Sequence, residues 1–340
     1  PKFYVDFSDK NSRNSANDVK NEIIKLKNNG IKGLILDLRN NGGGALQTVV
    51  DMTGLFIERG PIVQVKSTGN RKQILYDKDP KIVWDGPLVI LMNKMSASAS
   101  EILAGALQDY NRAVIIGNEK SFGKGTVQNV IDLNRFISNS SYDLGAIKIT
   151  TDKFYRINGE SVQLEGVKSD IVIPDSYKYV FNGEKDEKNP LNWDKITPAS
   201  FQKWNQKDIV TKISTNSQSR IDNDNYYSLI NDRAKWIKSQ QSNKSISLNF
   251  DIYNNYLIDQ REKNKKFESL SNYENNLIFK LLKAEKQYVM SNKELLSSRN
   301  RWHRNLTKDL YVEEGVKALE MLSALSENNL ILADNDKKLN

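Results

Sequence analysis

The chain has 340 residues, and its 50 lysines and arginines against 42 aspartates and glutamates give a net charge of +8 at pH 7. It contains no cysteine and one histidine, which excludes thiol catalysis, disulfides and histidine-rich metal sites, and neither a metal nor a cofactor is predicted. Basic residues alternate with acidic ones, so nucleic acid is not an expected partner, and no apolar run is long enough to span a bilayer.

The first half of the chain alternates short apolar runs with helical patterns, which predicts an α/β fold with helices packed on a sheet. It begins at Pro1 without methionine and directly in strand-like sequence, so we interpret it as a piece trimmed from a longer protein. The predicted elements are a strand over 3–7, a helix over 17–28, a strand over 33–38, a helix over 46–57, a hairpin of 62–65 and 73–76, a strand over 88–92, a helix over 102–107, and strands over 113–116, 146–150 and 153–157.

Beyond residue 174 the composition shifts to lysine, asparagine, serine and aspartate, and strand patterns almost vanish. We predict a core over 1–181, a polar linker over 182–200 and a mainly helical extension over 201–340. Within the extension the pattern predicts helices over 226–241, 269–299 and 312–326, with one isolated strand over 245–250.

A turn of small residues follows the apolar run 88–92 and leads into a helical pattern, with Ser98 at its middle. Such a turn exposes a side chain above the unpaired N–H groups of the helix start, which suits a nucleophile. The alternative is a purely structural role in tight packing or helix capping, for which Ser100 before Glu101 is the natural residue.

A serine nucleophile needs a base, and the single histidine lies far along the chain among polar helical residues. A lysine can act as this base when burial among apolar groups leaves its amine neutral. Lys124 is the best candidate because Gly123 and Gly125 allow close backbone approach, and Gln128 would lie on the same face of an extended segment. The alternative for a lysine between glycines is a surface turn.

A run of three glycines over 42–44 follows the predicted strand 33–38. It is compatible with phosphate binding, although it lacks the Gly-Lys-Ser/Thr ending of a P-loop. As a strand-to-helix turn it equally suits an oxyanion hole, to which it would contribute a backbone N–H.

Three segments together resemble the signatures of the C-terminal processing (tail-specific) serine peptidases: LDLRNNGGG at 36–44, SASASE at 96–101 and FGKGTVQ at 122–128. The resemblance implies Ser98 as nucleophile, Lys124 as general base and Gln128 as the residue that orients it. It also implies an oxyanion hole formed by the backbone N–H groups of Gly44 and Ala99. The implied fold of the core is the crotonase-like sheet-and-helix fold shared with Clp-type peptidases.

The chain is most similar to the long Prc/Tsp branch, through FYVDF at 3–7, KFYRING at 153–159, GVKSDIVIP at 166–174 and LNWDKI at 191–196, which opens the helical extension. Members of this family carry a PDZ domain before the catalytic core, so we expect a fragment that lacks it. The segment between Gly117 and Phe122 is one residue longer than the family pattern.

The resemblance implies an endopeptidase that processes or degrades proteins from their C-terminal region through an acyl-enzyme, with alkaline-leaning activity. It also implies a bacterial periplasmic location, protein substrates with accessible C-terminal tails and a lipoprotein adaptor as partner. Two alternatives stay open. One is a catalytically incompetent fragment or scaffold that acts through its helical domain, and the other is a crotonase-like acyl-CoA enzyme.

Overall fold

The computed structural model describes residues 2–6, 12–69, 71–137, 142–181, 183–204, 206–242 and 244–338. Residues 7, 70 and 182, which belong to the predicted first strand, hairpin turn and linker, lie outside this range, as do 205, 243, 339 and 340 of the predicted extension. The strands are β1 (Leu34–Asp37), β2 (Gly60–Ser67), β3 (Lys72–Asp77), β4 (Leu88–Met92), β5 (Val114–Gly117), β6 (Thr126–Asp132), β7 (Ala146–Tyr155) and β8 (Ile171–Val172). The helices are α1 (Ser15–Asn28), α2 (Leu46–Gly54), α3 (Ala99–Asp109), α4 (Lys207–Asp222), α5 (Asn225–Ser242), α6 (Phe250–Lys265), α7 (Lys286–Ser291), α8 (Lys293–Leu306) and α9 (Leu310–Lys338).

A four-stranded parallel sheet in the order β1-β4-β5-β8 forms the centre of the fold. Strands of such sheets are covered on both faces and therefore have continuous apolar sequences. This is true of β4, in which no residue is more than 1% exposed. The predicted α/β core followed by a helical region is confirmed.

Alternate side chains of β4 enter two different apolar clusters. Leu88, Ile90 and Met92 pack in the cluster that contains α2 and α3, whereas Val89 and Leu91 pack in one that contains α4, α5 and α9. The helices that follow residue 200 therefore cover the second face of the sheet. The boundaries 1–181, 182–200 and 201–340 stay a prediction.

A second, antiparallel sheet has the order β3-β2-β7-β6. The predicted hairpin is confirmed by β2 and β3, whereas the two strands predicted over 146–157 are one strand, β7. Val127 of β6 lies opposite Asp152 and Gln128 opposite Thr150, so Thr151 is an extra residue on β7. The ladder between β6 and β7 continues on both sides of this bulge.

Two predictions for the helical region were wrong. Residues 273–282 are not helical, because Asn275 bonds through its backbone N–H and its side chain to the carbonyls of Thr307 and Leu306. Residues 245–250 form no strand, since Asn249 caps α6 by accepting a hydrogen bond from the N–H of Ile252. The helices predicted over 226–241 and 312–326 correspond to α5 and α9. None of the helices in the described ranges is both long enough and apolar enough to cross a membrane.

Candidate active site

Ser98 occupies the turn between β4 and α3, immediately before the first residue of the helix. Its φ of 57° lies in the left-handed region, which non-glycine residues seldom adopt outside turns and functional sites. The side chain is half-buried, and the backbone N–H donates to Oε2 of Glu101 at 2.8 Å. Ser100 does not cap the helix as expected, because its hydroxyl donates to the carbonyl oxygen of Asn41 at 2.8 Å.

The loop after β1 is joined to the Ser98 turn by several hydrogen bonds. The carbonyl oxygen of Asn41 also accepts from the N–H of Ala97 at 3.0 Å, and Ser96 Oγ donates to the carbonyl oxygen of Leu38 at 2.8 Å. Asn40 donates its backbone N–H to Oδ1 of Asn93 at 3.0 Å. The two segments that carry the candidate nucleophile and the glycine run are thus fixed to each other.

The glycine run lies directly against Ser98. A Cβ on Gly43 would stand 2.8 Å from Ser98 Cβ and 3.0 Å from the nitrogen of Ala99, so the backbones are in close contact. Within the described part of the chain, the N–H groups of Gly44 and Ala99 donate to no other group. Both therefore remain available to an incoming oxygen, as an oxyanion hole requires. Their assignment to that role stays a prediction.

We expect Gly43→Ala to lower kcat about 10²-fold, because the added methyl group displaces the loop from Ser98 and the φ of 102° disfavours alanine. Gly42→Ala is the matched control, since a Cβ at Gly42 meets nothing within 4 Å. Steady-state kinetics on both variants test this. Equal kcat values would show that the close contact is not needed.

Lys124 lies in the loop between β5 and β6 and is half-buried. Its Nζ donates to Oε1 of Gln128 at 3.1 Å, so the structure brings these two predicted residues together. No hydrogen bond joins Lys124 Nζ to Ser98 Oγ in the described ranges. The roles of Ser98, Lys124 and Gln128 stay predictions.

Glu101 holds the Ser98 turn and the Lys124 loop together, and the sequence interpretation gave it no such role. Its side chain is fully buried, and Oε2 accepts from the backbone N–H groups of both Ser98, at 2.8 Å, and Lys124, at 3.0 Å. Oε1 accepts from Ser121 Oγ at 2.5 Å and from the N–H of Gly123 at 2.7 Å. Burial raises the pKa of Glu101 to about 7, although these hydrogen bonds act in the opposite direction.

Comparisons with known proteins cover both the α/β core and the helical region. Residues 3–173 match the sequence profile of Peptidase family S41, and residues 177–321 match that of the C-terminal domain of tail specific protease (DUF3340). The chain is 39% identical over 254 residues to the tail-specific protease of Haemophilus influenzae, which covers 74% of this chain and 35% of that protein. It is 37% identical over 179 residues to a carboxy-terminal-processing protease of Bartonella bacilliformis, which covers 51% of this chain and 39% of the relative.

Among solved structures, a photosystem II D1 C-terminal processing protease aligns with 31% identity and a TM-score of 0.42, over 50% of this chain and 40% of that one. The sequence matches define the class of the α/β core as that of the serine peptidases. The chain belongs to Peptidase family S41. It spans little more than a third of the length of the curated relatives named above.

Proposed function

We propose that this chain is the catalytic part of a serine endopeptidase that processes or degrades proteins from their C-terminal region through an acyl-enzyme. The observation that carries the proposal is the position of Glu101, whose one oxygen Oε2 binds the backbones of Ser98 and Lys124. The free N–H groups of Ala99 and of Gly44, which follows the Gly43 that contacts Ser98, support it further. The family match and the tail-specific relatives agree with it.

The proposed chemistry has two half-reactions. Ser98 Oγ attacks the scissile carbonyl carbon while the neutral amine of Lys124 takes the hydroxyl proton, and the N–H groups of Gly44 and Ala99 stabilise the oxyanion. The lysine returns the proton to the leaving amine, and an ester on Ser98 remains. Lys124 then takes a proton from water, which attacks the ester carbon; the bond from that carbon to Ser98 Oγ breaks, Lys124 returns the proton to Oγ, and the new carboxyl end is released.

Lys124 has to turn from Gln128 toward Ser98 for this step. Catalytic hydrogen bonds are often absent without substrate and form only in the complex. Gln128 lies on β6, four residues after Lys124, and its Oε1 accepts from the amine at 3.1 Å. We propose that this bond limits the positions that the amine explores, so that a short rotation brings it to the hydroxyl.

An acyl-enzyme experiment tests the proposal. The chain is mixed rapidly with an activated peptide ester at a pH above 8, and we expect a burst of leaving group that approaches one equivalent of enzyme. Acid quenching and peptide mass spectrometry should place the acyl group on the peptide that contains Ser98. The Ser98→Ala variant should show no burst and no adduct.

Absence of both burst and adduct in the wild-type chain would contradict the proposal and favour the scaffold alternative. The missing hydrogen bond between Ser98 and Lys124 is the observation that keeps this alternative open. Turnover of an acyl-CoA thioester by both the wild-type chain and Ser98→Ala would instead favour a crotonase-like enzyme.

The proposed substrates are proteins with accessible C-terminal tails, and the proposed compartment is the bacterial periplasm. The bacterial relatives with tail-specific names support the substrates, and the compartment rests on the family resemblance. A lipoprotein adaptor that binds the helical region is proposed on the same resemblance alone. Fractionation of cells that express the full-length protein tests the compartment.

A further inference from the structure

Asp309 connects the C-terminal helices to the loop that follows β1. This residue directly precedes α9, and its carboxylate accepts two hydrogen bonds from Arg39, at 3.0 Å from Nη1 and 2.7 Å from Nη2. The side chains of Arg39 and Asp309 are each only 18% exposed, so the ion pair is weakly screened by solvent. Asp37 binds the other side of the same guanidinium, through Nε at 3.0 Å and Nη2 at 2.7 Å.

Arg39 belongs to the loop that carries the candidate oxyanion donor. The next residue, Asn40, has a φ of 58° and is fixed to Asn93 of the Ser98 segment by its N–H and by a side-chain bond of 2.9 Å. Gly44 lies only five residues after Arg39. A shift of the guanidinium therefore moves Asn40 at the start of a short loop. The other end of this loop carries Gly44, which must stay close to Ser98 to act as an oxyanion donor.

The same end of α9 also contacts the segment that leads to Ser98. Tyr311 OH accepts from Nδ2 of Asn118 at 2.9 Å, and Asn118 Oδ1 accepts from the N–H of Lys94 at 3.1 Å. The guanidinium carbon of Arg39 lies 5.1 Å from the centre of the Tyr311 ring. The start of α9 is thus linked by hydrogen bonds to both segments of the candidate site.

We infer that Asp309 is a positioning residue for the reaction, which acts through Arg39 on the loop from Arg39 to Gly44. The inference rests on the proposed function. It assigns to the helical region a task within catalysis, besides covering the sheet. The contact differs from ordinary packing because the ion pair of Arg39 and Asp309 is directional and determines where the loop lies. The carboxylates of Asp37 and Asp309 together leave the guanidinium few alternative positions.

Asp309→Asn separates this role from helix stability. Asp309 caps α9, with Oδ1 accepting from the N–H of Tyr311 at 3.0 Å, and asparagine caps helices equally well. The substitution removes the charge and turns one acceptor for Arg39 into a donor. We expect kcat to fall at least about 10-fold with KM within twofold of wild type and an unchanged helix content by circular dichroism.

Glu285→Gln is the matched control, because it weakens another ion pair of the helical region, that with Arg299 at 3.2 Å. We expect it to leave kcat and KM as in the wild type. A double-mutant cycle with Arg39→Gln should show non-additive losses in kcat if Asp309 acts through Arg39. Additive losses, or a kcat of Asp309→Asn within twofold of wild type, would overturn the inference.

Hydrogen exchange gives a readout that does not need cleavage. Asp309→Asn should speed amide exchange in the loop from Arg39 to Gly44 and leave exchange in α3 unchanged. If the wild-type chain does not cleave any substrate but this change occurs, the proposed function fails while the positioning contact stands. If the wild-type chain cleaves and loop exchange does not change, the inference fails alone.

Discussion

Lys124→Ala is expected to lower kcat by about 10³-fold or more, to the level of Ser98→Ala. The reason is that serine is a weak nucleophile, the chain contains no cysteine, and the ring of its one histidine, His303, contacts Phe279 and Trp302. A half-buried side chain in a loop whose backbone is held by Glu101 can be shortened without loss of the fold. We therefore expect an unchanged Tm, and steady-state kinetics with thermal unfolding checks both expectations.

Lys148→Ala is the control for loss of a lysine that lies away from Ser98 in the sequence and on the surface. Lys148 is exposed on β7, opposite Val130 of β6, and its removal should leave kcat unchanged. Equal residual activities for Lys124→Ala, Ser98→Ala and the double variant would show that both groups act as one unit. Near-normal turnover by Lys124→Ala would remove the lysine from the mechanism and require another base.

The parts of the fold that were predictable are those in which local sequence decides. The apolar run of β4 and the hairpin of β2 and β3 have unambiguous patterns, and the structure confirms them. The helical pattern over 312–326 was also predictable, but its partner was not. Val312, Ala318 and Leu322 pack in one cluster with the second face of β4, a contact that no amphipathic pattern specifies.

The candidate site shows the same division. Ser98 and the glycine run follow strands, so their positions at one edge of the sheet follow from the topology. The role of Glu101 does not follow from the topology, although its spacing from Ser98 resembles a helix-capping pattern. Its bonds to Ser121, Gly123 and Lys124 span 20, 22 and 23 residues of sequence and depend on how the loop after β5 returns to α3.

Glu101→Gln is expected to lower kcat about 10²-fold at pH 8. The carboxylate accepts from four donors, and an amide in its place has one acceptor oxygen and an NH₂ group. Either orientation leaves at least one buried backbone N–H facing a donor, which costs about 1–3 kcal/mol and loosens the Ser98 turn or the Lys124 loop. Glu165→Gln is the control, because the side chain of Glu165 is 44% exposed and pairs with Lys185, and we expect it to leave kcat as in the wild type.

The pH dependence of stability gives this prediction a second measurement. Burial raises the pKa of Glu101 from 4.5 to about 7, so the folded protein binds the proton more tightly than the unfolded chain. Stability from this group is therefore greatest when it is protonated and is lost as the pH rises from 4.5 to 7. The free energy of unfolding of the wild type, relative to Glu101→Gln, should fall by about 3 kcal/mol over that interval.

The free energy of unfolding of the wild type, relative to the control Glu165→Gln, should change with pH in the opposite direction. A hydrogen bond from Lys185 lowers the pKa of Glu165, so the stability contributed by this group is present above its unfolded pKa and is lost as the pH falls. Urea unfolding of the wild type, Glu101→Gln and Glu165→Gln at a series of pH values separates the two signs. A Glu101→Gln difference that does not change with pH would mean that Glu101 is ionised throughout. Its four donors would then outweigh the cost of burial.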